Sequence, residues 1–324
     1  TASAGGGIVT ATISNTDIAD LDDLAASAVN ALTITVAGAS LDAAQLNTVD
    51  AATTVQVTTS EITELTGTAA AAETAMASAG LDLNGKNINV IIDDGSASIS
   101  QLNNINGDNG TGTITATLSA SDLADMVDGV NGLTTGDGDS ITITLKAESV
   151  AATDLVTLEG KTGLQIDATA ATEITGLYVN VKAVLDDTTN FDFTDADYNA
   201  TLADNAAFTA DDLITITGMT DGLVTATSIA SVTGNVADLV TVASRNDGAD
   251  LALKADYDAS IVLAGGDPSA VSAADLKTIL SDTTGSLTAS ALTDISGSAA
   301  DIKDVQAGNF IHAGGDYTVS VSGT

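Results

Sequence analysis

The sequence predicts a mainly β fold: a parallel β-solenoid, or a leucine-rich-repeat-like α/β solenoid, with one strand and a short helical turn per repeat of about 23–27 residues. Three observations predict it. Short alternating strands recur at near-constant spacing, a helix-start signature follows each of them, and aromatic residues make up only 2% of the chain. A thick globular core leans on large aromatic side chains, whereas small and β-branched ones suit thin stacked layers.

The strands read Ile8-Val9-Thr10-Ala11-Thr12, Leu32-Thr33-Ile34-Thr35-Val36, Val55-Gln56-Val57, Ile88-Asn89-Val90-Ile91-Ile92, Ile114-Thr115-Ala116-Thr117-Leu118, Ile141-Thr142-Ile143-Thr144-Leu145 and Leu164-Gln165-Ile166. Their starts lie 24, 23, 33, 26, 27 and 23 residues apart, and the long interval holds an Ala-rich insertion at 69–79. Alternation puts the aliphatic residues on one face and Thr on the other.

After each strand comes a Ser or Thr, then apolar residues about three apart, as helical spacing requires. Thr16-Asp17-Ile18, Ser40-Leu41-Asp42, Ser60-Glu61-Ile62, Ser119-Ala120-Ser121 and Ser149-Val150-Ala151 open these segments. The Ser or Thr is expected to N-cap a single helical turn, with early acids matching its dipole. One such unit cannot bury its own apolar face, but a stack of them can.

Residues 1–177 form the regular series, and 178–324 are expected to continue it less regularly. Strand-like runs recur at 213–216, 223–227, 251–253 and 261–263, helical turns at 290–295 and 298–302, and an edge strand at 317–321. All eight aromatic residues lie at or beyond Tyr178, and 191–198 gathers three of them. That cluster is expected to mark a thicker coil, a cap or a contact surface.

Charge narrows the function classes. There are 44 acidic residues against 8 basic ones, a formal net charge of −36. No basic patch exists to bind nucleic acid, and an anionic membrane surface would repel the chain. No run of about 18 apolar residues is present, so no membrane insertion is expected. Without Cys there is no disulfide, thiolate metal site or thiol nucleophile. The opening Thr-Ala-Ser-Ala-Gly-Gly-Gly suggests a removed leader or a piece of a longer chain, and either fits export.

Only six of the acids are Glu; the others are Asp, which suits turns and also hard-cation loops. Calcium is the expected cofactor, with Asp93, Asp94, Asp108, Asp137, Asp139, Asp192, Asp195 and Asp197 as its candidate ligands. The competing reading of each is a turn-forming Asp on a solvated edge. His312 has no nucleophile or orienting partner in its neighbourhood, and Asp pairs arise by chance at this density. The chain is therefore expected not to be an enzyme.

Gly6-Gly7-Ile8-Val9-Thr10-Ala11-Thr12-Ile13, Leu65-Thr66-Gly67-Thr68-Ala69-Ala70 and the run from Ser149 to Thr162 resemble repeats of very large exported proteins of marine bacteria, cyanobacteria among them. The resemblance covers most of residues 5–177 and implies a repeat fold and an extracellular or cell-surface location. The glycine-rich nonapeptide of calcium-dependent β-rolls is absent. Unpaired strands at both ends of a stack invite another chain, and addition that does not close gives a filament. The expected function is a structural extracellular protein, a self-assembling subunit or segment of a fibre, surface layer or adhesin. Its partners would be further copies joined end to end, with surface glycans as a second class. The outward Thr rows support an alternative, a module that binds glycans, ice or a mineral surface.

Overall fold

The computed structural model describes residues 8–59, 61–194, 197–263, 270–290, 292–312, 314 and 316–322. Ser60, expected as a cap, and Asp195, expected as a calcium ligand, lie outside them, as do Gly6 and Gly7. Eleven helices alternate with short parallel strands along the described residues, about 29% helix against about 27% strand. The chain is α/β, which overturns the mainly β solenoid expected from the sequence. Neither version of the one-strand, one-turn unit fits. Most helices run seven to ten residues, and many are preceded by a strand of their own.

The chain divides into two units, and the first comprises Thr1–Lys146, Asp154–Ala168 and Thr189–Asp192. Its main sheet has five parallel strands in chain order: Ser40–Asp42, Glu64–Thr68, Asn89–Asp94, Ile114–Thr117 and Ser140–Thr142. Register stacks Leu41 beside Leu65, Val90 and Ile114, then Ala116 beside Ile141. All six are buried. Each large aliphatic side chain so buried stabilises the fold by about 1.5–3 kcal/mol. Helices Ala43–Ala51, Ala69–Ala77 and Ile99–Asp108 pack side by side along the unit. The Ala-rich 69–79 segment is thus an ordinary helix rather than an insertion, capped by the Thr68 hydroxyl on Ala71 N–H at 3.2 Å.

The second unit comprises Ala147–Thr153, Thr169–Thr188 and Phe193–Thr324. One five-stranded parallel sheet joins Ser149–Ala151, Glu173–Gly176, Asn199–Leu202, Val224–Ala226 and Leu251–Leu253. A second joins Ala207–Thr209, Ser231–Gly234, Asp258–Ile261, Leu287–Ala289 and Phe310–Ile311. A third, of three strands, joins Ala270–Ser272, Asp294–Gly297 and Thr318–Val321. The first sheet carries the ladder Val150, Ile174, Ala200, Val224 and Leu251, none more than 1% exposed. Residues 213–216, expected as strand, belong to the helix Ala210–Ile216. Thr209 caps that helix on Asp212 N–H at 3.1 Å, and two first-turn acids complement its dipole.

Two devices hold neighbouring repeats together. The first is a threonine clasp. Thr53 Oγ1 donates to Leu32 O at 2.7 Å while accepting from Leu32 N at 2.9 Å and Val55 N at 3.1 Å. Thr162 repeats this on Ile141, at 2.7 and 3.0 Å, and accepts from Leu164 N at 3.1 Å. Both threonines are buried. In the second unit Thr220 donates to Tyr198 O and accepts from Gly222 N, and Thr283 donates to Tyr257 O and accepts from Gly285 N. A Cβ at Gly222 or Gly285 would sit 2.2 Å from the clasped tyrosine carbonyl, so the backbones meet there only because glycine lacks one.

The second device pairs an Ala at a helix start with a Gly 24 residues later. The pairs are Ala43 with Gly67, Ala152 with Gly176, Ala210 with Gly234 and Ala273 with Gly297. A Cβ on the glycine would come 3.8, 3.4, 2.8 and 2.9 Å from the alanine Cβ, and all four alanines are 0% exposed. One repeat's strand end thereby seats on the helix start of the repeat before it.

Candidate functional site

The acidic residues expected to bind calcium are dispersed. Asp93 and Asp94 are exposed at the end of one strand, and Asp108 is exposed at the last position of the helix Ile99–Asp108. Asp192 sits in a two-residue strand, in register with Asp167. Asp137 is exposed, whereas Asp139, two residues on, is buried. The Asp139 carboxylate accepts from Ile114 N at 2.7 Å with one oxygen and from Gly136 N at 2.8 Å with the other. It pins its own loop to the neighbouring strand. Among the described residues, no three His, Asp or Glu side chains gather closely enough to hold a metal.

Asp197 lines an open groove of about 280 Å³ with Phe193, Tyr198, Met219, Thr220 and Asp221. The Phe193 and Tyr198 rings are 5.4 Å apart, and Tyr198 OH donates to Met219 O at 2.6 Å. Burial, then the Asp221 charge, pushes the Tyr198 phenol up to about 12. At neutral pH it is therefore a neutral donor rather than a base. His312, the only His in the sequence, is not among the groove residues. One of its ring nitrogens, Nε2, lies 3.1 Å from Leu292 O, and the ring packs 4.8 Å from that of Tyr317. What the groove offers is acidic, aromatic and wide open.

The sheet edges differ from both. In the three-stranded sheet of the second unit, Val271, Ile295 and Val319 occupy one register position on adjacent strands. Val271 and Ile295 are 5% and 2% exposed, but Val319 is 41% exposed. It belongs to the same apolar ladder and is open because its strand, Thr318–Val321, pairs on one side only among the described residues. Val321 is exposed on the same strand. Ile311 is exposed on the edge strand Phe310–Ile311 of the neighbouring sheet. In the first unit, Thr10–Thr12 is likewise an edge, paired only with Ala31–Thr33 among the described residues. Val9, Ala11, Ile13, Leu24 and Leu32 line an open apolar hollow beside it.

The strand at 317–321 was expected as an edge, and the hollow beside Ala11 was not. Its signal in the sequence was the apolar pattern of Ile8, Val9, Ala11 and Ile13. Comparison with known proteins adds no relative: no family model, no curated protein and no solved structure matches the chain.

Proposed function

We propose that this chain is a structural, non-catalytic protein of the cell exterior that assembles with copies of itself by adding parallel strands at its exposed sheet edges. Val319 carries the reading. An edge strand with free N–H and C=O groups is a template for another strand, and its inward apolar residue gains burial when that strand arrives. A contact between two different edges is heterologous, so repeated addition extends rather than closes unless its rotation forms a ring. The charge of −36 keeps faces apart and leaves the edges as the favoured contact. Calcium acts in this reading as a bridge between acidic faces of neighbouring copies.

Electron microscopy and sedimentation of the purified chain, with millimolar Ca²⁺ and with a chelator, test this. Filaments or concentration-dependent oligomers are expected, and Val319→Lys should abolish them without loss of helical signal, since a buried charge opposes strand addition. Single particles at every concentration, with the circular dichroism of a folded α/β chain, would refute it. Assemblies that ignore the chelator would keep the edge and remove calcium.

A further inference from the structure

The sequence holds four Asn-Gly pairs: Asn84-Gly85, Asn106-Gly107, Asn109-Gly110 and Asn131-Gly132. In such pairs the glycine nitrogen can attack the preceding side-chain amide, because no Cβ obstructs the approach. The attack requires a mobile Asn side chain, a free glycine N–H and a backbone that can close a five-membered ring.

The fold protects three of the four. Asn106 and Gly107 lie inside the helix Ile99–Asp108, where the backbone is held by helical hydrogen bonds. Asn106 Nδ2 also donates to Thr134 O at 2.9 Å. Asn109 is 0% exposed, and its Nδ2 donates to Gly112 O at 2.7 Å. Gly132 N–H is engaged by Asp128 O at 2.9 Å.

Asn84-Gly85 is different. Both residues are exposed, at the centre of a turn that Lys86 N closes on Leu83 O at 3.1 Å. Gly85 has φ of +79°, and a Cβ there would meet nothing within 4 Å. Neither the Asn84 side chain nor the Gly85 N–H has a hydrogen-bond partner among the described residues.

We propose that Asn84-Gly85 is a self-modification site at which the folded protein forms a succinimide. Gly85 N bonds to Asn84 Cγ, the Cγ–Nδ2 bond breaks, and the amide nitrogen leaves as ammonia with the proton from Gly85 N. Water then opens the ring at either carbonyl, giving Asp at 84 or an isoaspartyl link with one extra backbone methylene. The change falls between Leu83, which is fully buried, and Lys86, whose Nζ donates to Thr59 O of the preceding repeat at 2.6 Å. The isoaspartyl form would therefore loosen a tie between repeats as the protein ages.

Hydroxylamine, which cleaves the chain at Asn-Gly succinimides, tests the assignment on the intact protein. The folded chain should be cut into residues 1–84 and 85–324 at least about tenfold faster than at any other pair, reflecting local protection. The chain unfolded in guanidinium should be cut at all four. Folded Asn84→Gln should resist cleavage while keeping its circular dichroism. Cutting of the folded chain at 106, 109 or 131 as fast as at 84 would overturn the proposal. So would resistance at 84 under conditions that cut the unfolded chain there.

Discussion

In the first unit Thr162 closes over Ile141, and in the second Thr283 closes over Tyr257, by a hydroxyl donated to the clasped carbonyl in both cases. What lies beneath the clasp differs. Ile141 is a purely apolar filling, 0% exposed. Tyr257 is equally buried, at 1%, but carries a phenol that must be satisfied. It donates to Asp282 Oδ2 at 2.7 Å, and Asn246 Nδ2 donates to both oxygens of the same carboxylate. All four tyrosines belong to the second unit, while the first has Phe191 as its one aromatic residue. The backbone tie between repeats is therefore indifferent to the size of the residue it ties. The polar shell around the larger residue is an added requirement.

The largest effects come from emptying the two sites. Tyr257→Ala should destabilise the second unit by about 3–5 kcal/mol, through the cavity and through the hydrogen bond lost to the Asp282 carboxylate, which keeps Asn246. Ile141→Ala should cost the first unit about 2–5 kcal/mol, from the cavity alone. Denaturant unfolding followed by hydrogen exchange in each unit measures both. Tyr257→Phe separates the contributions, because it keeps the volume and removes the phenol. A variant as stable as the parent would show that the Asp282 shell is not required.

Cutting the clasps comes next. Thr162→Val and Thr283→Val keep the shape but leave buried backbone groups without partners, at about 1–3 kcal/mol each. If the clasp is a shared device, Thr162→Val should cost somewhat more, since it strands Ile141 O, Ile141 N and Leu164 N, whereas Thr283→Val strands Tyr257 O and Gly285 N. A much larger cost at Thr283 would make the clasp a support for Tyr257 rather than a tie between repeats. Combined with Tyr257→Phe, Thr283→Val should then show coupling, since neighbouring sites fail to add.

The repeat spacing was readable in the strand starts Ile8, Leu32, Val55, Ile88 and Ile114, whereas Leu41 and Leu65, expected in helical turns, stand in the strand ladder with Val90 and Ile114. The helix starts were readable in part: the segments at 16–21, 40–46, 119–123, 149–155 and 298–302 fall on or lead into helices. The helical turn expected at 290–295 instead runs into the strand Asp294–Gly297, and the full length of the helices did not show. Leu213-Ile214-Thr215-Ile216 is β-branched and alternating, and by propensity it reads as strand. Its helical state is decided by the Thr209 cap, the first-turn acids and burial of Leu213 and Ile216. Ser40 and Ser149 were expected as caps, but both lie in strands; at the first of these helices the cap is Asp42, which accepts from Gln45 N at 2.8 Å. The 33-residue interval arose from merging two strand rows. Val57 bridges to Leu81, whereas Val90 stands beside Leu65 in a different sheet. Among the candidate calcium residues, Asp139 has its role set by its bonds, and its carboxylate acts on the Ile114 and Gly136 backbone. The clasps left little trace, since a Thr two residues before Val, Leu or Gly is common in so Thr-rich a chain.

The smallest effect separates the units by pH. Burial, then the Asp221 charge, holds the folded Tyr198 phenol at about 12, against an ordinary value of 10.0. Burial and the Asp282 hydrogen bond push Tyr257 up as well. A folded pKa above the unfolded one means that the folded state keeps a proton the unfolded state loses. That contribution is complete below pH 10.0 and is lost as pH rises from there through the folded pKa. The second unit should thus weaken steadily above pH 10, with tyrosinate absorbance appearing together with loss of its exchange protection. The first unit, which contains none of the tyrosines, should lack this dependence. Burial and the Asp212 hydrogen bond raise Tyr178 in the same unit, so Tyr198→Phe combined with Tyr257→Phe should shrink the alkaline limb, and adding Tyr178→Phe should flatten it. If the tyrosinates of Tyr198 and Tyr257 themselves, identified as the signal lost in the double Phe variant, form near pH 10 with both units still protected, those phenols are open to water, and the polar shell around Tyr257 is not what distinguishes the two units.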